Sequence, residues 1–441
     1  MKKIIFISSV FLASNVFAQE NFSGYNASNR IGIVQSSYHP SLLSFQTNKI
    51  DLQLTSFNFS ISNNKLGAKD FFKDNYETKL WSENSNISFR IDSEIIGLGA
   101  GFKYKDWGFG LLFKSNIKMN VTDVNSKLGN AIINGSNDLS IANSLINVNE
   151  NQRINATIWS EIGASVSKIL IEKENHQLSI GTTFKILMPV SYANFGLSNL
   201  NANLRNNLSN DVLLNASGKL NIAYSGNLAS NFSDTNSYTN SIFSKPNGFG
   251  LDFGATYLWK NQDDQTGFIV SASVRNIGSM TFDNNNNKNI NYTLNGNINL
   301  NDFENSNSFI EIENKLLQNI NLSVENRNNE IKVNLPTTFN FMATAKIISK
   351  FHASINMQQN LNNNNNNNDQ ITSNNFVTVT PKLVFKNFEL YAPLSNSDLA
   401  RFSSGFGLRA GGFYIGSSSV ISAFIAETKL LDLYIGFSLG L

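Results

Sequence analysis

Three histidines, His39, His176 and His352, are the chain's whole supply of imidazole, and there is no cysteine. A thiol nucleophile, a cysteine metal ligand and a disulfide framework are excluded at once. A hydrolase built on a histidine base needs a nucleophile and an orienting carboxylate converging on it. His39 precedes the first strand pattern, His176 and His352 fall at or beside tight turns, and none has such partners nearby in sequence. Each reads as an ordinary turn or surface residue, so no catalytic residue is assigned and no enzyme is expected. Asp263-Asp264 is the one adjacent acidic pair. Asn carbonyls need carboxylates beside them to hold calcium well, so neither that pair nor the Asn tracts mark a metal site. Gly97, Gly99 and Gly101 alternate along one strand pattern, and Gly250 and Gly254 along another. No helix follows them, as a phosphate-cradling loop requires. They leave space or relieve crowding on one face of a sheet. No cofactor is implied.

The elements that carry these residues are strands. The chain has 441 residues, 72 of them Asn, with 34 Lys plus Arg against 32 Asp plus Glu. Charged residues make up 15%, below the roughly 25% of soluble proteins, and a net charge of +2 argues against a nucleic-acid partner. Mean hydropathy is −0.18. Lys2 and Lys3, the apolar run Ile4 to Leu12 and Val16-Phe17-Ala18 before Gln19 read as a secretory signal peptide, residues 1–18. That run is too short to span a bilayer core of about 30 Å. Past it, alternation with period two is nearly everywhere. Leu431, Leu433, Ile435, Phe437, Leu439 and Leu441 share one face. Leu178, Ile180, Thr182, Phe184, Ile186, Met188 and Val190 share another, as do Leu251, Phe253, Ala255, Tyr257 and Trp259. The opposite faces are rich in Gly, Ser, Thr and Asn.

These runs exceed the usual five or six residues of a strand and suit strands that cross a membrane. Tight turns at 105–106, 172–176, 261–265, 349–350, 386–387 and 410–412 alternate with long Asn-rich connections at 63–86, 124–152, 195–245, 283–334 and 362–374 and two shorter ones near 395–401 and 421–428. Short turns on one side and long loops on the other are the rhythm of a transmembrane antiparallel β-barrel. The pattern predicts an all-β chain of about fourteen strands, near 49–62, 87–104, 107–123, 153–171, 177–194, 246–260, 266–282, 335–348, 351–361, 375–385, 388–394, 402–409, 413–420 and 429–441, with both termini periplasmic. Closure is demanded because lipid offers no partner for an open sheet edge. A soluble sandwich or solenoid would leave the long, uncharged aliphatic-aromatic faces unexplained. The expected domains are the signal peptide 1–18, an N-terminal segment 19–48 and a barrel 49–441. Ile31, Ile33, Val34, Leu42, Leu43 and Phe45 favour burial of the segment in the lumen as a hatch or plug over a free tail. Asn362 to Asn368 and Asn284 to Asn287 read as solvated loop tips.

The layout resembles the long-chain fatty-acid transporter (FadL-type) barrels of Gram-negative outer membranes, and more narrowly a FadL-like group of uncharacterised function. The resemblance rests on Tyr38-His39-Pro40-Ser41-Leu42 followed by Asn48-Lys49-Ile50-Asp51-Leu52. It rests also on Phe388-Glu389-Leu390-Tyr391-Ala392, Phe406-Gly407-Leu408-Arg409, Tyr414-Ile415-Gly416 and the closing strand. Relatives tend to read Asn-Pro-Ala-x-Leu where this chain has His39 for Asn and Ser41 for Ala, so that match rests on Pro40 and Leu42. The chain ends in Leu441 rather than an aromatic residue, with Phe437 four residues earlier. The resemblance implies a barrel of about fourteen strands with an N-terminal hatch inside. It also implies capture of a hydrophobic ligand at an extracellular groove and passage past the hatch, with Tyr38, His39, Pro40, Ser41 and Leu42 as the ligand or hatch residues.

Three functions are weighed. The first is an outer-membrane transporter or channel for small hydrophobic ligands. The second is a non-transporting barrel that serves as scaffold or component of a secretion or surface assembly, with envelope proteins as partners. The third, a general porin, is disfavoured because porins use charged constriction rings, whereas Lys185, Asp252, Lys382 and Asp432 look scattered. Outer-membrane lipid is the expected surrounding partner. An apolar patch on inward positions beside the hatch would favour transport over scaffolding; Leu187, Leu258 and Val384 break the polar inner face.

Overall fold

A computed structural model describes residues 22–70, 73, 76–81, 85–134, 144–207, 210–227, 244–261, 266–303, 308–319, 322–362, 368–425 and 427–441. The expected signal peptide and Asp263-Asp264 lie outside the described residues.

The chain closes into an antiparallel barrel of fourteen staves. Seven are single long strands: β1 (Ile50–Asn63), β2 (Ile87–Tyr104), β3 (Trp107–Val124), β5 (Gln152–Lys173), β6 (His176–Asn207), β8 (Gly248–Lys260) and β9 (Thr266–Phe282). The eighth joins β12 (Ile331–Asn334) to β13 (Thr338–Lys346), and the ninth and tenth are β14 (Phe351–Asn360) and β15 (Phe376–Val384). The next two are broken, β16 (Phe388–Tyr391) with β17 (Leu394–Ser397), then β18 (Arg401–Ser404) with β19 (Phe406–Ala410). The last two are β20 (Phe413–Ser417) and β21 (Leu430–Gly440). β21 returns to β1 in a ladder from Asp51↔Gly440 to Ser62↔Leu430, so the sheet has no edge through the barrel. Each of the fourteen staves overlaps a stretch that the alternation marks, while β12 lies in the expected connection 283–334 and most of β17 in the one near 395–401.

The tight turns lie where expected. Lys105 and Glu174 take left-handed φ of 51° and 46° to join β2 to β3 and β5 to β6, the backbone that short hairpins require. Gly411 does the same at φ 58°, with nothing near its missing Cβ, so φ alone calls for glycine there. Ile50 and Leu441 exchange both backbone hydrogen bonds at this same end.

The outward face is apolar. Leu98, Leu111, Ile180, Phe184, Phe249, Phe253, Leu433 and Ile435 are exposed, while Trp107 with Phe109, Trp259 with Phe268 and Phe385 with Phe388 form stacked or tilted aromatic contacts near the tight turns. That is the belt and girdle of a chain crossing lipid as a barrel. Among the described residues no helix is long and apolar enough to cross a membrane. Met188 and Val190, expected outward, are buried. A register shift between Ile158 and Trp159 sits opposite Pro189 and ends the simple alternation there.

The long connections hold more structure than expected. β6 runs on past the barrel and pairs with β4 (Ser144–Val148) and β7 (Asn210–Ser225); β7 pairs with β10 (Lys288–Asn299), and β10 with β11 (Leu322–Asn328). This crown has its own core: Leu200, Leu204, Leu213 and Ile298 pack with Leu128, and Leu220, Ile222, Tyr224, Ile290 and Tyr292 pack with Phe309 and Leu316 of helix Phe309–Asn319. Asn is disfavoured in strands, but here its amides pair across strands, Asn194 to Asn221 at 2.7 Å and Asn221 to Asn289 and Asn291 at 3.0 and 2.8 Å. The Asn tracts expected as solvated tips are tied in as well. Asn284, Asn286 and Asn287 bond Ser225 and Gly226, and Asn368 accepts from Asn151. Residues 363–367 lie outside the described residues.

Leu433 is half exposed on the outward face, opposite Phe59 of β1. Leu433→Arg places a charge in the belt and is expected to destabilise the barrel by about 2–4 kcal/mol if the site lies at mid-bilayer. An unchanged heat-modifiable gel shift would count against this facing.

Candidate functional site: the N-terminal segment against the inner wall

Residues 22–46 lie against inward groups of nearly every stave. Close approach is possible because several facing positions lack a side chain. A Cβ on Gly181 would lie 2.6 Å from Pro40 C and Ser41 N, and one on Gly108 would strike the Leu43 backbone. Gly101 and Gly254, two of the alternating glycines, face Gln46 and Pro40-Ser41 in the same way.

Three kinds of contact hold the segment. On one side, Arg30 pairs with Asp51 of β1 at 2.7 Å, and the other Asp51 oxygen accepts from the Ile33 N–H at 3.1 Å. Ser28 donates to Glu389 at 2.8 Å, Glu389 also pairs with Arg409 at 3.1 Å, and the Lys382 ammonium donates to the Ala27 carbonyl. The Tyr25 ring stacks on Tyr414 at 3.5 Å between centroids. On another side the contacts are hydroxyls: Ser41 Oγ with Thr256 Oγ1 at 2.6 Å, and Ser44 Oγ with Ser179 Oγ at 2.7 Å. The third is apolar. Leu42 and Phe45 pack on Ile169, Leu258, Ile269 and Met342, so Leu258 does open an inward apolar patch beside the segment. Leu187 instead packs with Trp159, Tyr192 and Met280 under the crown.

Each expected site residue faces the inner wall. The Tyr38 ring lies between the Lys114 ammonium at 4.8 Å and the Arg275 guanidinium at 4.5 Å. Its hydroxyl donates to Glu94 at 3.1 Å, and its carbonyl accepts from Ser273 at 2.8 Å. His39 Nδ1 lies 3.2 Å from Ser273 Oγ. Pro40 opens a short 3-10 helix, Pro40–Phe45, that carries Ser41 and Leu42. His39 and His352 are buried, not surface residues, and His352 meets Asn29 at 3.0 Å; His176 is exposed as expected and contacts Tyr257 at 2.5 Å.

Of the lumen charges that look scattered in sequence, Lys185 and Asp252 belong to a cluster. Lys114 pairs with Glu94 at 2.9 Å, Lys118 with Asp92 at 2.5 Å, and Lys185 with Asp252 at 2.8 Å and Glu161 at 3.8 Å. Cross-strand register could have found part of it, since Asp92 sits opposite Lys118 and Glu94 opposite Asn116 in the β2–β3 ladder. Lys382 and Asp432 stand apart from it, Asp432 accepting from Ser417, Ser418 and Ser419. Asp51, Glu389 and Arg409 lie within the stretches that carry the resemblance, but no motif there gives them a role, and no local motif marks Arg30 or Arg275.

Three cavities lie against the segment, a fourth adjoins them, and neighbours in the series share lining residues. An outer one of about 200 Å³, between Arg90, Asn120 and Asp398, shares Ser373 with one of about 60 Å³ among the charges. That second cavity shares Tyr38 and Phe376 with a narrow one of about 20 Å³ at Tyr38-His39. The narrow one shares Asn26, Gln35 and Met342 with an inner one of about 110 Å³ lined by Ile31, Leu42, Ile269 and His352.

This is an antiparallel barrel with a segment of its own chain in the lumen and a string of cavities beside it. The chain belongs to a family of unknown function, DUF5723, whose profile matches residues 40–418. No curated protein matches it. Among solved structures it is similar to the toluene transporter TodX of Pseudomonas putida, with 9% identity over 96% of this chain and 98% of that one, TM-score 0.43. A FadL homologue of Pseudomonas aeruginosa gives 7% identity over 96% and 98%, TM-score 0.41. The translocator domain of the autotransporter NalP from Neisseria meningitidis gives 6% over 92% and 95%, TM-score 0.34.

Burial, with Arg275 nearby, pushes the His39 imidazole down to about 3 from 6.5 in water. A displaced segment takes up a proton near the higher value and the docked one does not, so docking is strongest above it and weakens as pH falls from 6.5 toward 3. Hydrogen exchange of the 33–46 amides is expected to speed up across that window beyond its intrinsic rate change. His39→Gln should flatten the response; wild-type protection that ignores pH would refute this placement of His39.

Proposed function

We propose that the chain is an outer-membrane transporter in which residues 19–48 form a hatch that gates passage of small ligands with an apolar part. The observation that carries this reading is the string of four cavities, three of them against the segment, smallest where Tyr38 and His39 meet Asn340, Met342 and Phe376. A ligand moving along it meets polar and charged walls on the outer side and Ile31, Leu42, Ile269 and Met342 on the inner. Tyr38, His39, Pro40, Ser41 and Leu42 are the hatch residues in this scheme. Tyr38 and His39 close the narrow point, while Pro40, Ser41 and Leu42 anchor the segment on Gly181, Thr256 and the Leu258 patch. The apolar patch supports a hydrophobic ligand, because an apolar group gains burial there when the hatch shifts. The belt of exposed aliphatic and aromatic residues supports a membrane setting with lipid as surrounding partner, and the expected signal peptide supports export to the outer membrane.

A scaffold role within an envelope assembly is the second reading. It is favoured by β11, which pairs with β10 on one side and is exposed along nearly its whole length, because an open strand edge invites pairing.

Two variants test the gate. Deleting 22–46 is expected to raise single-barrel conductance in planar bilayers. The chain has no cysteine, so Ser44→Cys with Ser179→Cys places two thiols where the hydroxyls lie 2.7 Å apart. Oxidation should abolish uptake of an apolar probe and reduction restore it. Equal uptake by the locked and unlocked barrel, with unchanged conductance on deletion, would leave the scaffold reading standing.

A further inference from the structure

The cavity of about 60 Å³ outside Tyr38 is lined by Asp92, Glu94, Lys114, Lys118, Glu161 and Arg275. Of the three cations in this lining, Lys114 and Lys118 each have a carboxylate within 3 Å. Arg275 does not. It is 93% buried by its 7% exposure, its one close partner is the Tyr38 ring, and its Nε–H has no acceptor. Among the described residues no carboxylate lies within ion-pair reach of it. Two further buried polar atoms in the same wall lack partners, the Asn116 Nδ2 donor and the Asn374 Oδ1 acceptor.

A buried guanidinium without an anion is costly, and buried polar atoms are nearly always satisfied. Three such groups around one cavity describe a recognition surface. We propose that this cavity is a binding site for a small hydrophilic oxyanion, held by Arg275 and hydrogen-bonded by Asn116. The guanidinium fork matches two oxygens of a carboxylate or phosphate group. The lining is neutral as a whole, with Lys114, Lys118 and Arg275 against Asp92, Glu94 and Glu161, so the ion is held by the unmatched donors of Arg275 and Asn116 and not by net charge. Size sets the class. A water needs about 10–15 Å³ on this measure, so the space holds roughly four waters, enough for an acetate- or phosphate-sized group and too little for an alkyl chain. Asn374 Oδ1 adds an acceptor, which favours an ion carrying a hydroxyl over a bare carboxylate. The site does not depend on movement of residues 19–48, and it differs in character from the apolar patch at Leu42.

The test is titration calorimetry on the full mature barrel in non-ionic detergent at low salt, with acetate, inorganic phosphate and a medium-chain carboxylate as probes. Saturable binding of phosphate or acetate is expected, weakened at least about tenfold by Arg275→Gln. Arg275→Lys should retain part of it, which separates loss of the site from loss of the fold. Arg327→Gln, on the exposed strand β11, should leave it unchanged. Absence of saturable binding by the wild-type barrel would overturn the proposal. So would equal binding by Arg275→Gln, or binding that requires the alkyl chain. Because binding is read at equilibrium with residues 22–46 in place, its failure leaves the conductance and cross-linking results untouched.

Discussion

Everything in this molecule depends on one constraint: a sheet in lipid must satisfy its own backbone, and it does so by closing. Closure fixes the even, alternating plan of the chain and also makes a problem inside. Small barrels fill their interior with side chains, but the space grows with strand number, and at fourteen staves the side chains no longer meet. Residues 22–46 occupy that space. The inner wall is built to receive them, with glycines at 108 and 181 where the backbone comes closest, glycines at 101 and 254 beneath the Gln46, Ser41 and Pro40 side chains, and serines and threonines that bond the segment's hydroxyls.

The same reasoning explains the charges. An inward position on a transmembrane strand can be ionised without meeting lipid, but it is partly cut off from water by the segment and the crown. The chain answers by pairing. Asp92–Lys118, Glu94–Lys114 and Lys185–Asp252 are neutral units on the outer side, and Arg30–Asp51 and Arg409–Glu389 are neutral units that also hold the segment. The latter two tie it to β1 and β16, strands far apart in sequence that closure brings within one lumen diameter. Truncating one member of such a pair leaves the other buried and alone, which is more damaging than removing both.

Much of the barrel could be read from sequence because a period of two survives any amount of Asn. Leu431 to Leu441 and Leu251 to Trp259 alternate cleanly since one face meets lipid and the other small polar groups, and the tight turns at Lys105 and Glu174 follow from where that alternation breaks. The crown was harder. β7 and β10 alternate too, as Leu220, Ile222 and Tyr224 or Ile290, Tyr292 and Leu294 show, but their other face is Asn, which reads as loop until amides are seen pairing across strands. The Tyr38 to Leu42 stretch was visible because Pro40 and its neighbours interrupt an otherwise strand-like chain. Its partners were not, since Arg275 and Lys114 reach Tyr38 through barrel closure and leave no local trace.

The placement of the cavities then follows from how the segment is held. Its firm polar footing is on β1, β6, β8, β9 and the C-terminal staves, through Asp51, Ser179, Thr256, Ser273, Glu389 and Tyr414. Against β13 and β14 the contacts are sparser, the Asn29–His352 bond and the packing of Leu42 and Phe45 on Met342. The packing there is incomplete, and all four cavities take lining residues from β13 or β14. A displacement of the segment that widened this side would strain the Leu42–Met342 contact first and keep the Arg30–Asp51 and Ser28–Glu389 contacts as its pivot. Tyr38 sits on the boundary between the two sides, bonded to Glu94 and covered by Arg275. The cavity among the charges and the narrow one that adjoins the apolar inner cavity both take Tyr38 into their lining, so the ring and its two cations stand where the polar and apolar sides of the lumen meet.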